Sequence, residues 1–172
     1  MKIAIVGKMC SGKSTLANTI KIIDPRYEIY SFGNGIKDIA YNYFNMEGKD
    51  RSLLINIATK MKDIDEDIWI KYLMKHINND NCIIDDVRHQ NELDYLIKHN
   101  WKIIHLHIDK NTQEYRLKKL YPKNYIDHLN NINDISENCD SLKYPKDCNI
   151  LHIDTTEEYH KINMSIHSLL NK

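Results

Sequence analysis

The most constraining feature of the sequence is a glycine-rich segment between a short apolar run and a helical pattern. Residues 7–14 read GKMCSGKS, which matches the pattern GxxxxGK[ST] in full. The apolar run at 2–6 has no polar alternation, as expected for a strand buried on both faces of a parallel sheet. Residues 13–22 have helical periodicity. The motif therefore stands in the strand–loop–helix context that a phosphate-binding loop requires.

This loop predicts a set of contacts to a nucleotide polyphosphate. Glycines let backbone N–H groups turn inward, and the helix N-terminus adds partial positive charge. Lys13 is expected to reach the β- and γ-phosphates, Ser14 to bind Mg²⁺ and Thr15 to approach the α-phosphate. We therefore predict ATP and Mg²⁺ as cofactors. The predicted nucleotide-binding residues are Gly7, Met9, Cys10, Ser11, Gly12, Lys13, Ser14 and Thr15.

The rest of the chain alternates between strand and helix patterns, which predicts a single α/β domain with a parallel sheet. Strands are expected at 2–6, 27–31, 82–85, 102–108 and 149–153. Helices are expected at 13–22, 36–44, 52–61, 67–77, 91–99, 112–120 and 156–170. The polar stretch 121–146 is long for a structureless loop, so we expect it to be a lid or partly helical.

Composition excludes several classes of partner. Lys and Arg number 24, as do Asp and Glu, so no global field attracts nucleic acid or a membrane surface. No stretch approaches the roughly 20 apolar residues of a membrane span. The four cysteines form no CxxC pair, which suits a reducing compartment. We expect a cytoplasmic protein, in the host cytoplasm if the source is a virus.

Two acidic residues follow the third predicted strand. A phosphate-binding loop needs a carboxylate at the end of a nearby strand to orient hydrated Mg²⁺. Asp85 and Asp86 end the run that begins at Cys82, although a strand that ends in a turn or helix cap has the same pattern. Because strand side chains alternate, the two carboxylates point to opposite sides, and the sequence leaves open which serves the metal. Ser14, Asp85 and Asp86 are the predicted metal ligands.

Residues 86–92, DVRHQNE, resemble the D-V-R-x-x-N-E segment of phage-type deoxynucleoside monophosphate kinases. Other stretches are similar to this family in the same order along the chain: Ser31-Phe32 with Lys37, D-R-x-x-L at 50–54, D-x-W at 67–69 and S-E at 136–137. The sequence departs from the family pattern at Asp134, where the family has His, at Lys60 and Lys62, where it tends to carry Arg, and at Gly33, where it usually has Ala. These departures concern the acceptor's identity more than the type of reaction.

The resemblance implies the three-layer P-loop kinase fold, with a five-stranded parallel sheet in the order 2-3-1-4-5. The implied core covers 1–31, 78–109 and 147–172, with a helical acceptor-binding insertion at 32–77 and a lid at 110–146. It also implies phosphoryl transfer from ATP to a (deoxy)nucleoside monophosphate. Whether the chain forms a homodimer stays open.

Several side chains are candidates to hold the acceptor. Arg88 suits a bidentate phosphate contact, and the alternative is a surface pair with Glu92. Arg51 either holds the acceptor phosphate or is a solvated arginine at a helix start. Lys37 suits a phosphate contact or a solvated face equally well.

Aromatic and lid residues complete the predicted site. Phe32 and Trp69 are candidates to flank the acceptor base, but Trp69 suits a core position at least as well. Arg116 is the candidate lid cation, and the alternative is an ordinary basic helix face. Glu137 is assigned to the substrate by the resemblance alone. The predicted catalytic residues are Lys13, Asp86, Arg88 and Arg116, and the predicted substrate-binding residues are Phe32, Lys37, Arg51, Trp69, Arg88 and Glu137.

Other functions on the same core remain open. One alternative is a kinase of another small phosphorylated acceptor, of the dephospho-coenzyme A or phosphomevalonate type. Another is a P-loop ATPase module that transfers nothing. A GTPase is disfavoured because no N/T-K-x-D guanine motif is present.

Two histidines form a weaker signal. His105 and His107 share one face of the fourth predicted strand, and two such imidazoles are able to bind a metal. The histidines of the chain show no HExxH pattern. We therefore interpret the pair as structural.

Overall fold

The computed structural model describes residues 1–123, 125–130 and 138–156. Apart from its first residue, the last helix predicted from the sequence, at 156–170, lies outside these residues, as does the predicted substrate residue Glu137.

Five parallel strands form one sheet in the order β2-β3-β1-β4-β5. They are β1 Lys2–Gly7, β2 Glu28–Tyr30, β3 Cys82–Val87, β4 Lys102–His107 and β5 Ile150–Asp154. The order and the all-parallel pairing confirm the predicted fold class. Because β1 is central, the loop that follows it emerges at the middle of the carboxyl edge of the sheet, where ligands of open α/β sheets bind.

Seven α-helices lie in the described part of the chain. They are α1 Lys13–Ile23, α2 Gly33–Phe44, α3 Arg51–Ile64, α4 Ile68–His76, α5 Gln90–Lys98, α6 Lys110–Leu120 and α7 Tyr125–Asn130. Within that part, none of the helices is long and apolar enough to cross a membrane.

The sheet separates two hydrophobic cores, which makes the domain three-layered. Ile3 and Ile5 of β1 pack on the side of helix α1. Ala4 and Val6, the alternate residues of the same strand, pack on the opposite side with residues of α2 to α5. All four side chains are fully buried. The continuous apolar run at the start of the chain is therefore explained by burial on both faces.

Three element boundaries differ from the sequence-based prediction for identifiable reasons. Helix α2 begins at Gly33 rather than 36, because a distant carboxylate described below binds the backbone at its start. Strand β3 continues to Val87, which pairs with Val6 of β1. Helix α6 begins at Lys110, because the Asp109 side chain accepts a hydrogen bond of 2.9 Å from the backbone N–H of Thr112.

Helices α2, α3 and α4 fill the interval between β2 and β3, where the acceptor-binding insertion was predicted. Helices α2 and α4 approach closely at Gly35, where an added Cβ would lie 2.9 Å from the Tyr72 ring and 3.2 Å from Trp69. A side chain at this position would push the two helices apart. The insertion therefore packs onto the sheet as part of the larger core, which also contains Ile70 and Leu73 of α4.

The core role of α4 gives a stability prediction. Replacement Ile70→Ala is expected to lower the free energy of unfolding by about 2–5 kcal/mol, because Ile70 is 4% exposed and its loss leaves a cavity. The matched control is Ile22→Ala in α1, where the side chain is 80% exposed and a change below about 1 kcal/mol is expected. Urea denaturation followed by circular dichroism measures both. Equal losses in the two variants would contradict the packing described here.

Candidate active site

The loop between β1 and α1 has a backbone that only particular residues allow. Gly12 has φ +94° at the N-cap of α1, a left-handed conformation that favours glycine. At Gly7 an added Cβ would lie 2.6 Å from Ser11 Oγ and 3.0 Å from the Leu106 carbonyl oxygen. Both glycines of the motif are therefore required by geometry, one by its dihedral angles and one by close packing.

Lys13 folds back over the loop. Its ammonium group donates hydrogen bonds to the carbonyl oxygens of Gly7, at 2.5 Å, and Lys8, at 2.6 Å. The side chain is largely buried but lines the cavity described below. The Ser11 hydroxyl also lines this cavity, is buried, and has no hydrogen-bond partner among the described residues. A phosphate oxygen in the loop would satisfy this hydroxyl and contact the ammonium, so these residues fit a polyphosphate.

Asp85 faces the phosphate loop. The Ser14 hydroxyl donates a hydrogen bond of 2.7 Å to Asp85 Oδ2. Burial raises the pKa of Asp85, and the negative charge of Asp86 raises it further. A hydroxyl and a partly buried carboxylate held side by side are the oxygen ligands that Mg²⁺ takes in such sites. Of the two acidic residues that the sequence offered, Asp85 is the one next to Ser14.

Asp86 binds the segment after β2. Its Oδ1 accepts a hydrogen bond of 2.8 Å from the N–H of Phe32, and its Oδ2 accepts from the N–H of Gly33, at 2.8 Å, and from the Ser31 hydroxyl, at 2.5 Å. Both carboxylate oxygens are thus engaged at the start of α2. The assignments of Asp86 as a metal ligand and as a catalytic residue stay predictions, and the contacts described here are structural.

Two side chains of helix α6 form hydrogen bonds to backbone carbonyls of the phosphate loop. The buried Gln113 donates from its amide to the Met9 carbonyl oxygen at 2.9 Å. Arg116 donates to the Cys10 carbonyl oxygen at 3.3 Å and to the Thr155 carbonyl oxygen at 2.6 Å. Arg116, the predicted lid cation, therefore joins the loop to the end of β5. Sequence reasoning missed Gln113, since nothing in the pattern of α6 distinguishes it.

A cavity of about 750 Å³ opens in front of the loop. It is lined on one side by the phosphate loop with Thr15 and Asp85, and on the other by residues of α2, α3, α4 and the segment after β3. Every predicted site residue within the described ranges lines it, except Gly7. The structure therefore brings the predicted donor and acceptor residues together in one space.

Four cationic side chains line the wall of this cavity that carries the predicted acceptor residues, here called the acceptor side. Lys49 is exposed at the mouth of the cavity, yet partial desolvation of its ammonium lowers its pKa, and the positive charges of Arg51, Arg88 and Lys37 lower it further. Lys49 also lies over the Tyr121 ring, with its ammonium 5.1 Å from the ring centroid. Lys49 is not among the residues predicted from the sequence, although its place immediately before the Asp50-Arg51 pair is a signal for it. This cationic group, formed by Lys37, Lys49, Arg51 and Arg88, suits an anionic ligand.

Two aromatic residues line the same side of the cavity. Phe32 and Trp69 are each 3% exposed, so both belong to the core and only a small part of each reaches the cavity. The Trp69 indole N–H donates to the Ala58 carbonyl oxygen at 3.3 Å, which holds the ring of this α4 residue against α3. The two alternatives for Trp69, core residue and cavity wall, are therefore compatible.

Glu92 is a buried carboxyl at the back of the acceptor side. Its Oε2 accepts hydrogen bonds from the backbone N–H groups of Arg88, at 2.9 Å, and His89, at 3.0 Å. Burial raises its pKa to about 7, against an ordinary value of 4.5. Glu92 was expected only as a surface partner of Arg88, and the structure instead makes it the cap of α5.

The five-stranded parallel sheet, its helical layers and the phosphate loop together define a P-loop domain with the fold of small-substrate kinases. A gluconokinase from Sinorhizobium meliloti 1021 has a similar structure, with TM-score 0.59 and 12% identity over 97% of this chain and 89% of that one. A sugar kinase from Janibacter sp. HTCC2649 matches with TM-score 0.53 and 14% identity over 99% and 92%. At these identities the likeness establishes the fold alone.

A family model described as AAA domain matches residues 3–143. The chain therefore belongs to this AAA-domain family. No curated protein matches the sequence at a significant level.

The different partners of the two adjacent aspartates give a prediction. Replacement Asp86→Ala is expected to lower the free energy of unfolding by about 2–4 kcal/mol, because it leaves two backbone N–H groups without their acceptor. Replacement Asp85→Asn keeps an acceptor for Ser14 and removes a partly buried charge, so stability should stay within about 1 kcal/mol of the wild type or rise. Urea denaturation without nucleotide measures both. A larger loss for Asp85→Asn would contradict these roles.

The raised pKa of Glu92 predicts a pH dependence. A carboxyl whose pKa is higher in the folded than in the unfolded protein stabilises the fold most below its unfolded pKa, and this contribution is lost as pH rises to the folded pKa. The wild type should therefore lose about 3 kcal/mol relative to Glu92→Gln between pH 4.5 and about 7, since the amide is never charged but can still accept both hydrogen bonds.

Denaturation curves at several pH values measure this difference. Glu47→Gln, at an exposed position between α2 and α3, is the control for loss of one carboxylate. A stability difference between Glu92→Gln and wild type that does not change with pH would contradict the assignment.

Proposed function

We propose that this chain is an ATP-dependent kinase that phosphorylates a (deoxy)nucleoside monophosphate, giving ADP and the nucleoside diphosphate. The observation that carries the proposal is the shared cavity, in which the phosphate loop faces the cationic group of Lys37, Lys49, Arg51 and Arg88. One wall suits the polyphosphate of the donor, and the other suits a second anion. A kinase that joins two phosphates needs both.

On the donor side, the backbone of the loop and Lys13 would hold the β- and γ-phosphates. Ser14 and Asp85 would hold Mg²⁺, which when bound neutralises charge on the donor phosphates. Arg116 would act through the loop, because its guanidinium binds the Cys10 carbonyl oxygen. Its proposed part in catalysis is to keep the loop and the end of β5 together while the phosphoryl group is transferred.

On the acceptor side, Arg51 and Arg88 would grip the acceptor phosphate, with Lys49 and Lys37 adding positive charge. An oxygen of that phosphate attacks the γ-phosphorus while the bond to the bridging oxygen of ADP breaks. The acceptor phosphate is already nucleophilic, so the reaction needs positioning and charge compensation more than a general base. Phe32 and Trp69 would contact the acceptor base, and the resemblance of residues 86–92 to the phage-type kinases supports this class of acceptor.

A second candidate is a kinase whose acceptor is a hydroxyl group, such as that of a sugar or sugar acid. One observation favours it: Glu92 lines the cavity, and its pKa of about 7 suits a general base at neutral pH. A hydroxyl acceptor needs such a base, whereas a phosphate acceptor does not. The similar structures described as a gluconokinase and a sugar kinase agree with this alternative.

An acceptor screen separates the two candidates. ADP release from ATP·Mg²⁺ is measured with each deoxy- and ribonucleoside monophosphate, with dephospho-coenzyme A and phosphomevalonate, and with gluconate and simple sugars, and products are identified by ³¹P NMR. We expect turnover with at least one nucleoside monophosphate and none with Lys13→Ala. Turnover with gluconate or a sugar alone would replace the proposal by the second candidate. ADP release that no acceptor stimulates would indicate an ATPase module.

Removal of one member of the cationic group is expected to raise the KM for the acceptor. Replacement Arg51→Ala should raise the KM for the acceptor roughly 10- to 100-fold, because it removes a charge-assisted contact to phosphate. The KM for ATP should change less than about threefold. The matched control is Lys60→Ala, which removes an exposed cation from the same helix and should change neither constant. An Arg51→Ala variant that weakens ATP and acceptor equally would remove Arg51 from the acceptor site.

A further inference from the structure

Three histidines meet on the face of the sheet formed by β4 and β5. His105 and His107 lie two residues apart on β4, and His152 is the register partner of His105 on β5. The rings of His105 and His107 stack with centroids 4.2 Å apart, and those of His107 and His152 lie 5.1 Å apart. One ring nitrogen from each residue lies within 4.8 Å of the others.

Asp140 adds a carboxylate to this cluster. Its Oδ1 lies 3.7 Å from His105 Nε2 and 3.9 Å from His107 Nδ1. Its Oδ2 pairs with the ammonium of Lys8. One oxygen thus faces the imidazoles while the other is held by a residue of the phosphate loop. This carboxylate is the partner that the sequence does not show, because it lies more than 30 residues from the histidine pair.

His105 is already oriented as a metal ligand would be. It is 2% exposed, and its Nδ1 lies 2.8 Å from the Tyr144 hydroxyl. Its Nε2 is buried, has no hydrogen-bond partner among the described residues, and is directed towards Asp140. In metal sites the second ring nitrogen of a histidine ligand usually bonds to another polar group, which fixes the ring and leaves the first nitrogen for the metal.

We propose that His105, His107, His152 and Asp140 form a binding site for a divalent transition-metal ion of the zinc type. Imidazole nitrogens suit Zn²⁺ and its neighbours, whereas Mg²⁺ and Ca²⁺ prefer oxygen ligands. Tetrahedral Zn²⁺ with metal–nitrogen distances of about 2.0–2.1 Å places its ligand atoms about 3.3 Å apart. The three histidine nitrogens lie within 4.8 Å of one another, and Asp140 Oδ1 lies 3.7 Å from His105 Nε2, so the side chains would rotate to bring all four ligand atoms to that spacing. In the described residues, the hydrogen bond of 2.9 Å between His107 and His152 is the contact that a metal would replace.

The site would join parts of the chain that are distant in sequence. A bound ion would tie β4 to the edge strand β5 and to the segment around Asp140. It shares no residue with the predicted nucleotide and acceptor contacts, so it is separate from the proposed Mg²⁺ position. Because Asp140 also pairs with Lys8, the ion would stabilise one wall of the phosphate loop indirectly.

The experiment uses the tag-free full chain after treatment with a chelator. Isothermal titration with ZnCl₂ is expected to give one ion per chain with a micromolar or lower Kd, and CoCl₂ is expected to give the visible absorption bands of a low-symmetry nitrogen site. Zn²⁺ should raise Tm, whereas Mg²⁺ at the same concentration should not, because Mg²⁺ disfavours imidazole.

Two variants test the ligands. His152→Asn, at an exposed position of the edge strand, and His105→Asn should each weaken Zn²⁺ binding at least tenfold. The control His76→Asn removes an exposed histidine from α4 and should bind Zn²⁺ like the wild type. If His105→Asn fails to fold, the Zn²⁺ affinity of His152→Asn tests the site on its own. The proposal is overturned if Zn²⁺ does not bind below about 100 µM, which would leave a hydrogen-bonded histidine cluster, or if His152→Asn binds it as tightly as the wild type.

Discussion

The carboxylate of Asp86 accepts three hydrogen bonds from the segment that follows β2, and the arrangement of the acceptor side depends on this contact. It fixes where α2 begins and so places Lys37, which lies one turn into that helix. The neighbouring Asp85 turns to the other side of the strand end and meets Ser14 of α1. Two consecutive residues of β3 therefore hold the two walls of the cavity at a fixed separation, which a reaction between two bound ligands requires.

Positively charged side chains lie on the acceptor side of the cavity that these two aspartates position. The group formed by Lys37, Lys49, Arg51 and Arg88 concentrates positive charge, and the pKa of Lys49 is lowered by desolvation and by its three cationic neighbours. Such a concentration of like charge costs stability in the empty protein. An anionic acceptor would offset that cost on binding, so the same residues would supply both affinity and a preference for phosphate over neutral ligands.

Much of the fold follows from local pattern. The glycine motif, the apolar runs and the alternation of strands and helices predict the parallel sheet, because each of these signals lies within a few residues. The start of α2 was misplaced because its cap, Asp86, is more than 50 residues away in the chain. For the same reason, the sequence did not reveal that Gln113 braces Met9, or that Asp140 and His152 approach His105. Such contacts exist only after the sheet has formed.

The hydrogen bonds from Gln113 and Arg116 of α6 also determine the direction of two peptide dipoles in the phosphate loop. In a trans peptide the carbonyl of one residue and the N–H of the next point in opposite directions. With the Met9 and Cys10 carbonyls turned towards Gln113 and Arg116, the N–H groups of Cys10 and Ser11 must point away from α6. Two side chains of α6 thereby orient two peptide planes of the loop. The Ser11 N–H donates a hydrogen bond of 3.2 Å to the Lys8 carbonyl oxygen, so the bend of the loop is held by its own backbone as well as by α6.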